Sequence, residues 1–199
     1  MVMAERNENE PAGPASGHKS EKSLVERFKQ ADESAFEEIV KLHITEVTKL
    51  ANRLLGWPGD VDDVVQNVFF RAYLGLRQFR CQSSLKTWLF TITINQCRKQ
   101  RYKNMLSSKL FSKLVQTSEQ QIAPASDRQT LKKNELENVR EAVRSMPAKY
   151  SEPVVLKYLQ EMSTSQISRL LGISENAVQV RLSRARKRLK EKLGKFMEQ

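Results

Sequence analysis

Cysteine, histidine, glycine and proline are all scarce in this 199-residue chain, which has 2 Cys, 2 His, 7 Gly and 6 Pro. Two cysteines cannot build a disulfide framework and read as reduced thiols. With only two histidines beside them, the composition argues against a Cys/His zinc cluster. Few turn residues among many Leu, Lys, Glu, Arg and Gln favour helices and argue against an all-β barrel or sandwich. A long apolar run is missing as well. The most apolar stretch, Trp88 to Ile94, is far short of the roughly 20 residues of a spanning helix, so no membrane insertion is expected. Met1 to Ser20 is acidic and rich in Pro, Gly and Asn, without the basic start and apolar core of a signal peptide. A soluble cytoplasmic protein is the expectation.

What the chain has in excess is positive charge, 34 Lys+Arg against 23 Asp+Glu, a net of +11. The excess is uneven. Residues 1–60 hold 8 basic and 11 acidic side chains, residues 61–130 hold 11 and 4, residues 131–163 hold 6 and 5, and residues 164–199 hold 9 and 3. Two basic blocks on a nearly neutral frame suggest a polyanion touched at two places, although solvated helix faces would give the same count.

The apolar periodicity divides the chain. Residues 1–20 offer almost nothing to bury and read as a disordered tail. A helical pattern starts at Ser23 with Leu24, Val25 and Phe28. Asp32 is placed to cap a second helix, whose stripe is Phe36, Ile39, Val40, Val47, Leu50, Ala51 and Leu54. His43 lies on that stripe and reads as packing. Gly56 and Pro58 stop the helix, and Asp60 is expected to cap a third through Val64, Val65, Val68, Phe69, Ala72, Tyr73 and Leu76. After the loop Arg77 to Ser83, Ser84 starts a fourth helix through Leu85, Trp88, Leu89, Ile92 and Ile94 into Arg98, Lys99, Arg101 and Lys103. Four helices with short loops suit a bundle. Residues 104–129 read as a linker, with a short docking helix at Leu110, Phe111 and Leu114. Beyond it, Leu131, Leu136, Val139, Val143 and Met146 line one helix ended by Pro147, and Tyr150, Val154, Val155 and Leu159 mark the next.

Three motifs carry chemistry. The first runs from Thr164 to Leu182 and has the pattern helix, Gly-containing turn, helix. Ile167, Leu170 and Leu171 would pack under the turn, Gly172 would take its left-handed position, and Ser174 would cap the second helix. Ile173, Val178, Leu182, Ala185 and Leu189 would form its buried stripe. The outer face then holds Asn176, Gln179, Val180, Ser183, Arg184 and Lys187, residue types that read base edges in a major groove. Arg181, Arg186 and Arg188 suit phosphates or local packing. A protein-docking helix is the bland alternative. The second motif is Asp62-Asp63-Val64-Val65-Gln66-Asn67-Val68-Phe69, where Asp63 and Gln66 share a face. Paired carboxylates also serve catalysis or metals, but no His, further carboxylate cluster or Gly-rich loop accompanies them, so a basic protein partner is the stronger reading. The third is the loop and fourth helix, where Phe79, Trp88, Phe90, Thr91 and Asn95 interleave with Arg80, Lys86, Arg98, Lys99 and Arg101, the mixture that holds a single strand. Trp88 reads as core, while Phe79 and Phe90 fit either role. Cys81 reads as an inert thiol.

Together the motifs resemble bacterial sigma factors of the small extracytoplasmic-function (ECF) group, of the sigma-E kind, over residues 21–103 (region 2) and 130–196 (region 4). The resemblance implies an all-α fold of two small helical domains, a region 2 four-helix bundle and a region 4 helix-turn-helix, joined by a flexible linker. It implies a non-catalytic subunit without cofactor or metal that binds RNA polymerase core and directs promoter recognition, strand opening and transcription initiation near the nucleoid. Asp62, Asp63, Gln66, Asn67 and Phe69 would contact the core enzyme. Gln78, Phe79, Arg80, Ser83, Lys86, Asn95, Arg98, Lys99 and Arg101 would hold the minus-ten DNA, the loop capturing a flipped base. Asn176, Gln179, Val180, Arg181, Ser183, Arg184 and Lys187 would read the minus-thirty-five duplex. The family often has an anti-sigma protein, which is therefore a candidate partner. The competing classes are a stand-alone helix-turn-helix regulator, against which the acidic–amide motif speaks, and a DNA recombinase or nuclease, for which no strand–helix alternation is visible.

Overall fold

Leu24, Val25 and Phe28 give the first helix, α1 (Ala15–Lys29), one buried face. In the computed structural model, which describes residues 15–55, 58–115 and 135–197, α1 reaches back into the segment expected to be disordered. Once a helix is nucleated on a buried face, each further residue adds a hydrogen bond at little cost. Residues 1–14 lie outside the described residues. Asp32 performs the expected capping, its Oδ1 accepting from Ser34 N at 3.1 Å. Arg27 staples the turn by donating to Asp32 Oδ2 at 2.8 Å and to Glu38 Oε1 at 2.9 Å.

α2 (Ser34–Leu55) buries Ile39, Val47, Leu50, Ala51 and Leu54. His43 is buried on the same stripe, its Nε2 3.4 Å from Glu21 Oε1 of α1. Burial pushes its pKa down. Glu21 and Glu46 pull it back up, Lys86 adds to the fall, and the balance is a lowered value. The unfolded chain therefore binds more protons than the folded one below the ordinary histidine range, and stability falls as the pH drops through that window. The expected result is a lower thermal midpoint at pH 5.5 than at pH 7.5, with a smaller difference in His43→Leu. Equal differences in the two proteins would show that His43 does not couple to folding.

α3 (Pro58–Leu76) begins earlier than Asp60. Proline at the first helical position loses no hydrogen bond there, so Asp60 lies in the first turn instead of at the cap. Its carboxylate instead accepts from Gln100 Nε2 at 2.9 Å and Asn104 Nδ2 at 2.7 Å. α4 (Leu85–Val115) starts where Ser84 caps it, Ser84 Oγ accepting from Thr87 N at 3.2 Å. It runs far past Lys103, so residues 104–115 of the expected linker are helix, and Leu110, Phe111 and Leu114 fall inside it. No Gly or Pro interrupts Leu85 to Val115, so nothing in the backbone stops the helix. Residues 116–134 lie outside the described residues.

The second unit comprises α5 (Glu135–Arg144), α6 (Ala148–Val154), a π-helical turn Val155–Leu159 that continues it, α7 (Thr164–Leu171) and α8 (Glu175–Met197). α5, α6 and α7 pack on α8. Val143, Met146, Tyr150, Val154 and Val155 are buried as expected, but Val139 and Leu159 are exposed. Leu159 ends the wider π turn, which rotates it off the stripe. Leu131 lies outside the described residues. The two units also touch each other, α4 against α7 and α2 against α5 and the π turn.

Candidate nucleic-acid interface and partner face

The turn between α7 and α8 is built as the sequence requires. Ser163 caps α7 in a reciprocal box with Gln166: Ser163 Oγ accepts from Gln166 N at 3.2 Å, and Ser163 N donates to Gln166 Oε1 at 2.8 Å. Gly172 has φ +66°, a conformation other residues adopt only with strain. Ser174 Oγ accepts from Ala177 N at 3.2 Å. Ile167, Leu170, Val178, Leu182 and Ala185 are buried, with Leu171, Ile173 and Leu189 packed against them. The opposite face of α8 leaves Asn176, Gln179, Val180, Ser183, Arg184 and Lys187 in solvent, and Arg181 is half-buried at its edge. Tyr150 supports this helix from α6. Lys149 Nζ lies 5.1 Å and Arg188 Cζ 4.9 Å from its ring centre. Burial pushes the Tyr150 hydroxyl up, but a hydrogen bond with Arg184 and the charges of Lys149, Arg188 and Arg184 outweigh it and hold it below the ordinary tyrosine range.

On α3 the pattern 61, 64, 65, 68, 69, 72, 76 faces inward. Asp62, Asp63, Gln66 and Asn67 are exposed, and Asn67 Nδ2 donates to Asp63 O at 2.7 Å. Phe69, expected among the contact residues, is buried. The exposed apolar groups of this face are instead Phe70, 62% exposed, and Leu74, 60% exposed. The signal for them was available: positions 63, 67, 70 and 74 fall at the three- and four-residue spacing of one face, out of phase with the buried set.

The loop after α3 and the start of α4 form a cleft of about 230 Å³ lined by Glu21, Lys22, Phe79, Cys81, Gln82, Ser83 and Ser84. Phe79 is buried, stacked at 5.0 Å from Trp88, so it supports the loop from below. Cys81 holds φ +53°. Gln78, Arg80 and Ser83 are exposed. Phe90 is core, with Lys86 Nζ 5.4 Å from its ring centre. Cys97 is buried, and burial pushes its thiol up to about 12, which keeps it unreactive.

A second, wider cleft of about 570 Å³ is lined by Arg71, Trp88, Ile92, Asn95, Gln96, Arg98 and Lys99. It brings together Trp88, Asn95, Arg98 and Lys99 of α4, but not Lys86, Phe90 or Arg101. Three of the expected strand-binding cations are already engaged, Lys86 Nζ lying 3.5 Å from Glu46 Oε2. Arg98 donates from Nε to Glu152 Oε1 at 2.8 Å and from Nη2 to Glu152 Oε2 at 2.6 Å. Arg101 donates to Ser151 Oγ at 3.2 Å and to the carbonyl of Leu54. Arg53 donates to the carbonyl of Leu159. No local sequence signal predicts that α6 meets α4 here.

A basic cleft on one helical unit and a helix-turn-helix on another, with a separate acidic and amide face on α3, are the marks of a bipartite DNA-binding protein. Sequence profiles for Sigma-70 region 2 and Sigma-70 region 4 match residues 39–105 and 136–189. The chain is 28% identical over 179 residues to ECF RNA polymerase sigma factor SigW of Bacillus subtilis, covering 86% of this chain and 96% of that protein. It is 30% identical over 172 residues to RNA polymerase sigma factor NccH of Alcaligenes xylosoxydans, covering 85% and 92%. A structure of CnrH with the cytosolic domain of CnrY is similar, at TM-score 0.64 and 25% identity over 88% of this chain and 97% of that one. So is the sigma factor RpoE of Bartonella quintana bound to the anti-sigma factor NepR, at TM-score 0.56 and 26% identity over 80% and 96%. The chain belongs to the ECF group of sigma-70 factors, which bind RNA polymerase core and direct promoter recognition, strand opening and transcription initiation. Among the described residues no helix is long and apolar enough to cross a membrane.

Proposed function

We propose that the three faces divide the work of initiation. Asp62, Asp63, Gln66, Asn67, Phe70 and Leu74 engage RNA polymerase core. The loop Gln78 to Ser84 takes a base from the opened minus-ten strand. Lys86, Asn95, Arg98, Lys99 and Arg101 hold the adjacent strand and phosphates. Asn176, Gln179, Val180, Arg181, Ser183, Arg184 and Lys187 read the minus-thirty-five duplex. The protein does no covalent chemistry itself and works in the cytoplasm, where an anti-sigma protein of the kind bound to RpoE is a candidate regulator. The outward row of α3 carries this reading: acids and amides followed by two uncovered apolar side chains, on a protein of net +11. Two large exposed apolar groups beside carboxylates suit a protein partner with basic and apolar groups.

The two promoter elements lie about 25 base pairs apart, roughly 85 Å along the duplex at 3.4 Å per step. Units in direct contact cannot span that distance, so the packed arrangement opens on the holoenzyme. In vitro transcription with core enzyme, followed by mapping of start sites, tests the proposal. Transcripts that depend on this chain support it; none at any promoter overturns it. On the reading face, Arg184→Ala is expected to weaken promoter duplex binding by about 1–3 kcal/mol and relax preference at one base pair. An unchanged affinity and preference in a titration would remove Arg184 from the reading set.

A further inference from the structure

We propose that Glu152 is an internal phosphate mimic: its carboxylate occupies Arg98 while Ser151 beside it takes Arg101, so that packing of the two units and strand binding by α4 exclude each other. The inference rests on the reading of α4 as a strand-binding helix and adds its regulation. Three observations carry it. The side chain of Glu152 is 4% exposed, yet its carboxylate is ionically paired across the unit boundary, with Arg98. The two parallel bonds at 2.8 and 2.6 Å are the fork-to-fork geometry by which arginine also grips a phosphate. The neighbouring residue, Ser151, takes Arg101 Nη1 at 3.2 Å, so two successive residues of α6 engage two cations one helical turn apart on α4.

The asymmetry of the packed form supports the same reading. The outer face of α8 stays in solvent, whereas on α4 the donors of Arg98 and Arg101 are taken by α6, although the Arg98 side chain itself stays 42% exposed. Unpairing a buried carboxylate is costly unless water replaces its partner, so leaving Arg98 means separating the units. A strand that binds only the open form then binds more weakly by the fraction of molecules that are open. By reciprocity, a bound strand favours opening.

The test uses the full chain, small-angle scattering for the radius of gyration, and anisotropy of a fluorescein-labelled single-stranded 16-mer. Glu152→Gln keeps the side-chain shape and removes the charge. The expected result is a larger radius of gyration and an affinity for the 16-mer about tenfold higher than the parent's. The double variant Arg98→Glu with Glu152→Arg restores an ion pair in the same place and is expected to return the radius to the compact value, which separates loss of pairing from loss of folding. An unchanged radius in Glu152→Gln overturns the proposal, and so does opening without a gain in affinity while the parent binds. If neither protein binds the 16-mer although Glu152→Gln opens, the strand-binding reading of α4 falls together with the proposal, an outcome distinct from equal binding by both.

Discussion

Asp63→Arg is expected to abolish retention of the chain by RNA polymerase core while leaving its helical content and thermal midpoint almost unchanged. Asp63 is exposed on the outward row of α3. Its side chain makes no contribution to the bond that ties this turn together, because Asn67 Nδ2 donates to the backbone carbonyl of Asp63. Arginine is at least as good a helix former as aspartate, and an exposed substitution of this kind stays within about 0.5 kcal/mol of the parent's stability. Binding is another matter. Charge reversal against a basic partner sets like charges face to face, at a cost of several kcal/mol. A pull-down with purified core enzyme measures it. Full retention of Asp63→Arg would place the polymerase contact elsewhere. Phe70→Ala makes the companion case: with 62% of the residue in solvent, truncation leaves the fold intact and weakens only the complex.

Phe90→Ala is expected to have the opposite profile, a loss of about 3–5 kcal/mol of stability read by urea denaturation. The side chain is 2% exposed and sits among Leu85, Leu89, Ile94 and Cys97 on the inner face of α4. Truncation removes a buried ring and leaves a cavity that a helix pinned between α2 and α3 cannot close by moving. A domain of this size has only about 5–15 kcal/mol in total, so the cleft around Trp88 and Asn95 would lose its frame as well. A cost under 1 kcal/mol would mean that α4 is rotated, with Phe90 facing the strand. Phe70 and Phe90 are both phenylalanines in amphipathic helices, and their contrasting outcomes test the assigned phase of each helix directly.

The helix-turn-helix was legible in the sequence almost residue by residue. Its signals are local: an apolar stripe, a Gly that needs positive φ, and a Ser cap. The same holds for Asp32 and Ser84 as caps. Phe69 and Phe70 are adjacent and chemically identical, and helical phase alone separates them, Phe69 falling with the buried set and Phe70 with the outward row. Less was legible where a choice depended on what lies opposite. Phe79 could face a base or the bundle, and Trp88 behind it settles the matter at 5.0 Å. The extent of α4 is not legible, because weak amphipathicity over residues 104–115 reads as a linker, although nothing between Leu85 and Val115 breaks a helix.

The sequence by itself determined the phase of most helices, the caps at Asp32, Ser84 and Ser174, the basic blocks and the outward face of α8, because helix periodicity and capping are short-range. The tertiary structure alone decided that Glu152 reaches Arg98 across 54 positions of chain. No local pattern encodes a meeting of two side chains so far apart. Burial of a charge is stable only where a partner is delivered from elsewhere, and that delivery is a property of how the two units pack.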